Sequence, residues 1–269
     1  LLIMKNLNIL HLILIYASLV FLFSCTGPTL PEYSFTTGGE TVYHIGTGMV
    51  KKTKKAVITA SIHGVVQAFT LDGDLIWQTG TDGGFPFDIC IEDIDNDGLD
   101  ETLLASGNGS LYAIDNDGKS LWTFSGIPPL YQVSVAKDEQ GNAVILTGGP
   151  AKVLYALSPE GEVNASMPTE HCIRLLGTGD VKGEGKDYLA MTTTSSGLSG
   201  ILSLYMINPT DLSVVWKRTN LGNWAANTGK RFFSMLVKDL NRNGFDDIIL
   251  SGGWGENGRV YAYDHNGDD

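Results

Sequence analysis

From Ala56 onward the apolar positions fall in short runs, each closed within a few residues by a polar turn. The clearest unit spans Ile89 to Phe124: a short strand, a polar loop from Asp93, the run Glu101 to Ser106, Asn108-Gly109, the run Leu111 to Ile114, Asp117-Gly118, and Leu121-Trp122-Thr123-Phe124. Asn-Gly and Asp-Gly favour tight hairpins, so the unit predicts an antiparallel meander of four strands. Upstream, Ala56 to Ala60, Val65 to Thr70 and Leu75-Ile76-Trp77 repeat its second, third and fourth strands, with Lys51 to Lys55 in place of the polar loop. Downstream, Val144 to Thr147, Val153 to Ala156 and Val163 repeat them again, after a worn loop at Asp138 to Asn142. A fourth copy runs from near Arg174 to Trp216, and a fifth from near Phe232 to Tyr263.

Repeated meanders, each with one small face to bury, share a core when arranged radially. The expectation is therefore an all-β fold, a β-propeller of four-stranded antiparallel blades, about five of them present. Asp93 and Asp180 stand 87 residues apart, which is two units within the roughly 40 to 50 residues of such a blade. The blades are placed at about 44-80, 87-126, 130-166, 171-219 and 232-269, the last incomplete. Residues 1-25 read as a signal segment and 26-43 as a tether.

The polar loop carries the most specific chemistry. In Asp93-Ile94-Asp95-Asn96-Asp97-Gly98-Leu99-Asp100-Glu101, side-chain oxygens recur at alternate positions, a glycine turns the backbone, Leu99 offers a carbonyl and Glu101 closes the loop. Such a loop wraps a hard cation that takes six to eight oxygens, Ca²⁺ above all. It returns at Asp239, Asn241, Asn243, Phe245 and Asp247, so two calcium sites are expected. An EF-hand would need a glutamate at its twelfth position, where this chain has Leu104 and Leu250, so each loop feeds a strand. A third copy, Asp180 to Tyr188, has Lys182 at a ligand position and Tyr188 in place of the closing carboxylate, which keeps the turn and loses the ion.

The Asp loops at 93-101 and 239-247 resemble FG-GAP, or VCBS-type, repeats such as those of the integrin α-subunit propeller. Leu111 to Trp122 and Val65 to Trp77 resemble the quinoprotein-type (PQQ-like) repeat, whose tryptophan packs between blades. The resemblance implies closure with about seven or eight blades, so the chain reads as a C-terminally truncated propeller. It also implies that calcium is structural and that ligands use the opposite face.

Composition adds compartment and partners. Thirty-three glycines suit a turn-rich β chain. A net charge of −12 with no basic stripe argues against nucleic acid. Lys5 followed by the apolar stretch Leu7 to Phe23 and Leu22-Phe23-Ser24-Cys25 resembles a bacterial lipobox with Cys25 as the lipidated residue; a plain signal peptide and a single membrane anchor are the alternatives. The expected location is the bacterial cell envelope, periplasmic or cell-surface, with a membrane anchor through lipid. Cys90 and Cys172 read as buried free thiols.

Function is expected on the face opposite the Asp loops. His63, Phe85, Phe87, Tyr131, Lys152, His171 and Arg174 belong there, with ligand-binding candidates Trp224 in the long connection 219–230, Arg231 after it and Trp254 in the blade-five turn 252–258. Rings beside cationic and amide groups suit a glycan, and Trp77, Trp122 and Trp216 read as blade packing. The expectation is a glycan- or protein-binding module for a polysaccharide or envelope protein. The alternatives are a propeller lyase on acidic polysaccharide, using His63, Tyr131, His171 and Arg174, and an assembly scaffold. Neither PQQ nor a nucleotide is expected, because adjacent cysteines and a phosphate loop are missing from the sequence.

Overall fold

The computed structural model describes residues 36–51, 54–195, 202–219, 221, 232–252 and 259–267. These form nineteen strands and no helix. Blade one is β1 (Val42–Lys51), β2 (Lys54–Ser61), β3 (Val65–Thr70) and β4 (Leu75–Gly80); blade two is β5 (Pro86–Glu92), β6 (Glu101–Ser106), β7 (Ser110–Ile114) and β8 (Ser120–Ser125). Blade three holds β9 (Gln132–Lys137), β10 (Ala143–Gly148), β11 (Val153–Leu157) and β12 (Val163–Pro168). Blade four holds β13 (Cys172–Gly179), β14 (Tyr188–Thr194), β15 (Leu202–Ile207) and β16 (Val214–Arg218), and β17 (Phe232–Lys238), β18 (Asp247–Gly252) and β19 (Arg259–Tyr263) form blade five. Each sheet is a meander in chain order, four-stranded in blades one to four and three-stranded in blade five.

The blades pack face to face in sequence. Four apolar clusters each join two consecutive blades: Ile58 and Trp77 with Leu104 and Tyr112; Leu103 and Leu111 with Val135 and Ile145; Leu146 and Leu154 with Met191 and Ile207; Leu204 and Met206 with Ile248 and Leu250. Second strands contribute to both neighbours, Leu103 to one side and Leu104 to the other. Both their side-chain sets are therefore buried, which is why β6 and β10 lack the exposed alternation seen in β8 and β12.

Two devices fix the spacing. A fourth-strand tryptophan docks on the next blade's third turn: Trp77 Nε1 donates to Asn116 O at 2.9 Å, Trp122 to Pro159 O at 2.7 Å and Trp216 to His265 O at 2.8 Å. The turn residue under the ring is glycine because a Cβ on Gly118 or Gly161 would lie 2.8 or 2.5 Å from the indole. Blade three has no such tryptophan. Ala165 takes its register position opposite Ala156, and Leu212 replaces the turn glycine of blade four, buried in the cluster against which Ala165 packs. Large and small residues have changed places across that interface.

The second device is an aspartate clamp. Met49 N donates to Asp100 Oδ2 at 2.6 Å while Asp100 N donates to Met49 O. Lys137 with Asp187 and Asp180 with Asp246 repeat the reciprocal pair between blades three and four and between four and five.

Candidate functional site

The three Asp loops join first to second strands, so they share one face. In the first, Asp93 Oδ2 accepts from Gly98 N, Asp95 Oδ1 from Asp97 N and Asp97 Oδ1 from Leu99 N. The loop at 239–246 copies this, with Asp239 accepting from Gly244 N, Asn241 from Asn243 N and Asn243 from Phe245 N. Asn96 and Arg242 both take positive φ at the same step.

The two loops differ in charge and burial. Asp93, Asp95 and Glu101 bring carboxylate oxygens within 4.8 Å of one another. Glu101 is buried, and burial together with the neighbouring carboxylates of Asp95, Asp97 and Asp93 pushes its carboxyl up to about 7, although Ile94 N donates to it. Asp93 Oδ1 is buried without a hydrogen-bond partner. An orphaned carboxylate oxygen beside crowded acids fits a divalent cation. In the second loop Asp247 accepts from Leu240 N and Asn241 Nδ2, and two amides replace two acids, so its ligand charge is lower. In the third, Lys182 stands in place of the second acid and its Nζ lies 4.8 Å from the centroid of Tyr188, the residue at the closing position.

On the opposite face a ladder of rings crosses three blades. Tyr43 meets Phe85 at 4.6 Å between centroids, Phe85 meets Phe87 at 5.1 Å, Phe87 meets Tyr131 at 4.6 Å, and the Arg174 guanidinium carbon lies 5.7 Å from the Tyr131 centroid. Tyr43 is 54% exposed and Arg174 is exposed, while Phe85, Phe87 and Tyr131 are half-buried.

Apart from Phe85, the ladder comes from one position in the repeat. Pairing of first with second strands skips Tyr43 in β1, Phe87 in β5, Arg174 in β13 and Phe233 in β17. These are β-bulges, which take a residue out of the ladder of hydrogen bonds and re-aim its side chain. Tyr131, just before β9, is the counterpart in blade three, its N donating to Gly148 O.

Of the residues singled out from the sequence, the structure brings Phe85, Phe87, Tyr131 and Arg174 together. His63 lies apart in blade one, 3.3 Å from Glu40, and His171 Nε2 is 3.8 Å from Glu170. Trp224, Arg231, Trp254 and Cys25 lie outside the described residues. Cys90 and Cys172 are free thiols. Sequence reading missed Tyr43, assigned to the tether, and the clamp aspartates. The signals were available: an aromatic residue recurs at the bulge position, and Asp187 persists in the loop where Lys182 and Tyr188 replace the acids.

Charge divides between the faces. Among the described acidic residues, all but Glu40, Asp82, Asp88 and Glu170 lie in first or third turns or the strand ends that join them. A polar cavity of about 290 Å³ between the turns of blades three and four, lined by Asp138, Glu139 and Asp187, is on that acidic side.

This fold and its two faces define a β-propeller. Residues 56–180 match the sequence model of the lambda-carrageenase β-propeller domain, a stretch that holds the first Asp loop and the ladder from Phe85 to Arg174. Lambda-carrageenases from Pseudoalteromonas sp and Pseudoalteromonas carrageenovora are each 35% identical to this chain over 124 residues, 46% of it and 13% of theirs. The match thus spans about an eighth of the curated relatives' length. Among solved structures, BBS1N in complex with ARL6DN has a TM-score of 0.63 at 13% identity, covering 84% of this chain and 66% of that one. The Saccharomyces cerevisiae Sqt1 structure gives 0.62 at 14% identity, covering 85% and 60%. The Neurospora crassa Pan2 WD40 domain gives 0.58 at 13% identity, covering 89% and 66%. At these identities the likeness is one of fold.

Proposed function

We propose that this chain is a calcium-stabilised β-propeller that binds polysaccharide along the Tyr43 to Tyr131 ladder. The ladder carries the reading: rings from neighbouring blades, partly exposed and continuous, offer stacking surface to the apolar faces of successive sugars. The similarity to polysaccharide-acting carrageenases supports the same class of ligand. Calcium would be held by Asp93, Asp95, Asp97, Leu99 and Glu101, and more weakly by Asp239, Asn241, Asn243, Phe245 and Asp247, where it would neutralise the crowded loop and brace the turn. The leader-like stretch ending at Cys25 supports a place at the cell envelope.

Affinity electrophoresis in gels cast with carrageenan tests the proposal. The chain should be retarded, and Tyr43→Ala or Phe87→Ala should each weaken retention by about tenfold, since a stacking aromatic contributes about 1 kcal/mol or more. Migration unchanged by the polymer would overturn the reading.

A further inference from the structure

The ladder is chemically uneven. At the bulge position blades one and two carry Tyr43 and Phe87, and blade three carries Tyr131 at the counterpart position, but blade four carries Arg174. Its guanidinium rests against the outer end of the ring series, over Tyr131. Among the described residues no carboxylate lies within ion-pair distance of it, whereas nearby Glu170 is engaged by Lys217 at 3.0 Å and approached by His171. The Lys217 hydrogen bond chiefly, then His171 and Lys152, hold the Glu170 carboxyl below the usual range, and Lys152 stands exposed on the same rim. Glu170 is also one of only four described acids away from the Asp-loop side. An exposed guanidinium, within cation–π reach of a ring and without an acidic partner, presents a planar donor fork to an incoming oxyanion.

We propose that Arg174 recognises an oxyanion substituent, a sulfate ester or a uronate carboxylate, on a polysaccharide whose neighbouring sugars stack on Tyr131, Phe87, Phe85 and Tyr43. The proposal rests on reading the ladder as a polysaccharide surface and adds specificity and polarity to it. A chain bound this way lies in one direction, its anionic group over blade four and its uncharged ring faces over blades two and one. The bulge makes Arg174 a reading residue without disturbing the sheet, because its backbone is skipped by the pairing of β13 with β14.

Binding of the chain to three polymers separates the possibilities: agarose as a neutral galactan, carrageenan bearing sulfate esters, and polygalacturonate bearing carboxylates. Arg174→Ala should lose about tenfold for the anionic polymer that binds best and nothing for agarose, as expected when one charge-assisted contact is removed. Whether carrageenan or polygalacturonate is preferred identifies the oxyanion. Tyr43→Ala should weaken all three alike. If Arg174→Ala binds every polymer as the parent does while Tyr43→Ala is weakened, the oxyanion proposal falls and the ladder stands. If Tyr43→Ala loses nothing, or the parent binds no polymer, both fall.

Discussion

Asp88 sits one residue past the bulge that turns Phe87 outward, and its carboxylate accepts from Ile89 N and, across the blade gap, from Val133 N at 3.1 Å. His44 and Gln132 hold the same register in blades one and three. Gln132 Oε1 likewise accepts from Leu176 N of the next blade, and burial keeps His44 below its usual range. The row beneath the ladder is thus a second set of rungs between first strands. Burial pushes the Asp88 carboxyl up to about 7, above the unfolded value near 3.8. The folded state therefore holds a proton that the unfolded chain releases, and stability should fall as pH rises from about 4 to about 7. Asp88→Asn, which cannot ionise, should flatten that slope and leave the variant more stable than the parent near pH 8, with little difference near pH 4. Denaturant midpoints at the two pH values would show it, and an unchanged slope would assign the pH dependence elsewhere.

At the scale of strands and turns, the junction of blades three and four is the exception that explains the others. Elsewhere a tryptophan lies on a turn glycine; here Ala165 faces a turn that carries Leu212 at φ 57. Ala165→Trp alone should overpack the interface at a cost of about 1 to 3 kcal/mol, and Leu212→Gly alone should open a cavity worth about 2 to 5 kcal/mol. Together they rebuild the arrangement of the Trp77 and Trp122 junctions, so the double variant should be more stable than the summed losses allow. A double-mutant cycle in denaturant measures the coupling, and strictly additive losses would refute the swap. The tryptophans, the hairpin turns and the Asp loops were legible in the sequence because each depends on a residue type at a fixed local spacing. The ladder was legible only in part. Phe85, Phe87 and Tyr131 could be assigned to a face, but a bulge inserts one residue into a strand and breaks the period-two pattern at that point, which hid Tyr43 at the edge of the fold. Asp100 and Asp246 were hidden differently, since among metal-ligand candidates an extra aspartate reads as more of the same. Only its partner on another blade, Met49 or Asp180, gives it a separate role.

Over the whole molecule, the Asp loops proposed to hold calcium and the ring ladder lie at opposite ends of the first strands, so their effects should separate. Excess calcium over chelator should raise the melting temperature through binding to the folded state alone. Asp93→Ala should remove most of that rise, because the second loop carries fewer charges, while polysaccharide binding by the folded variant stays as in the parent. Loss of binding in proportion to loss of calcium would mean that the faces are coupled. The uneven placement of acids has a further consequence for encounter. With all but four of the described acids at one end, the propeller carries a permanent dipole. Within about a Debye length of a polyanion, the resulting torque turns the acidic end away and the aromatic end toward the polymer. Repulsion that would otherwise slow collision then acts as an aligning force, and the molecule arrives already oriented for contact.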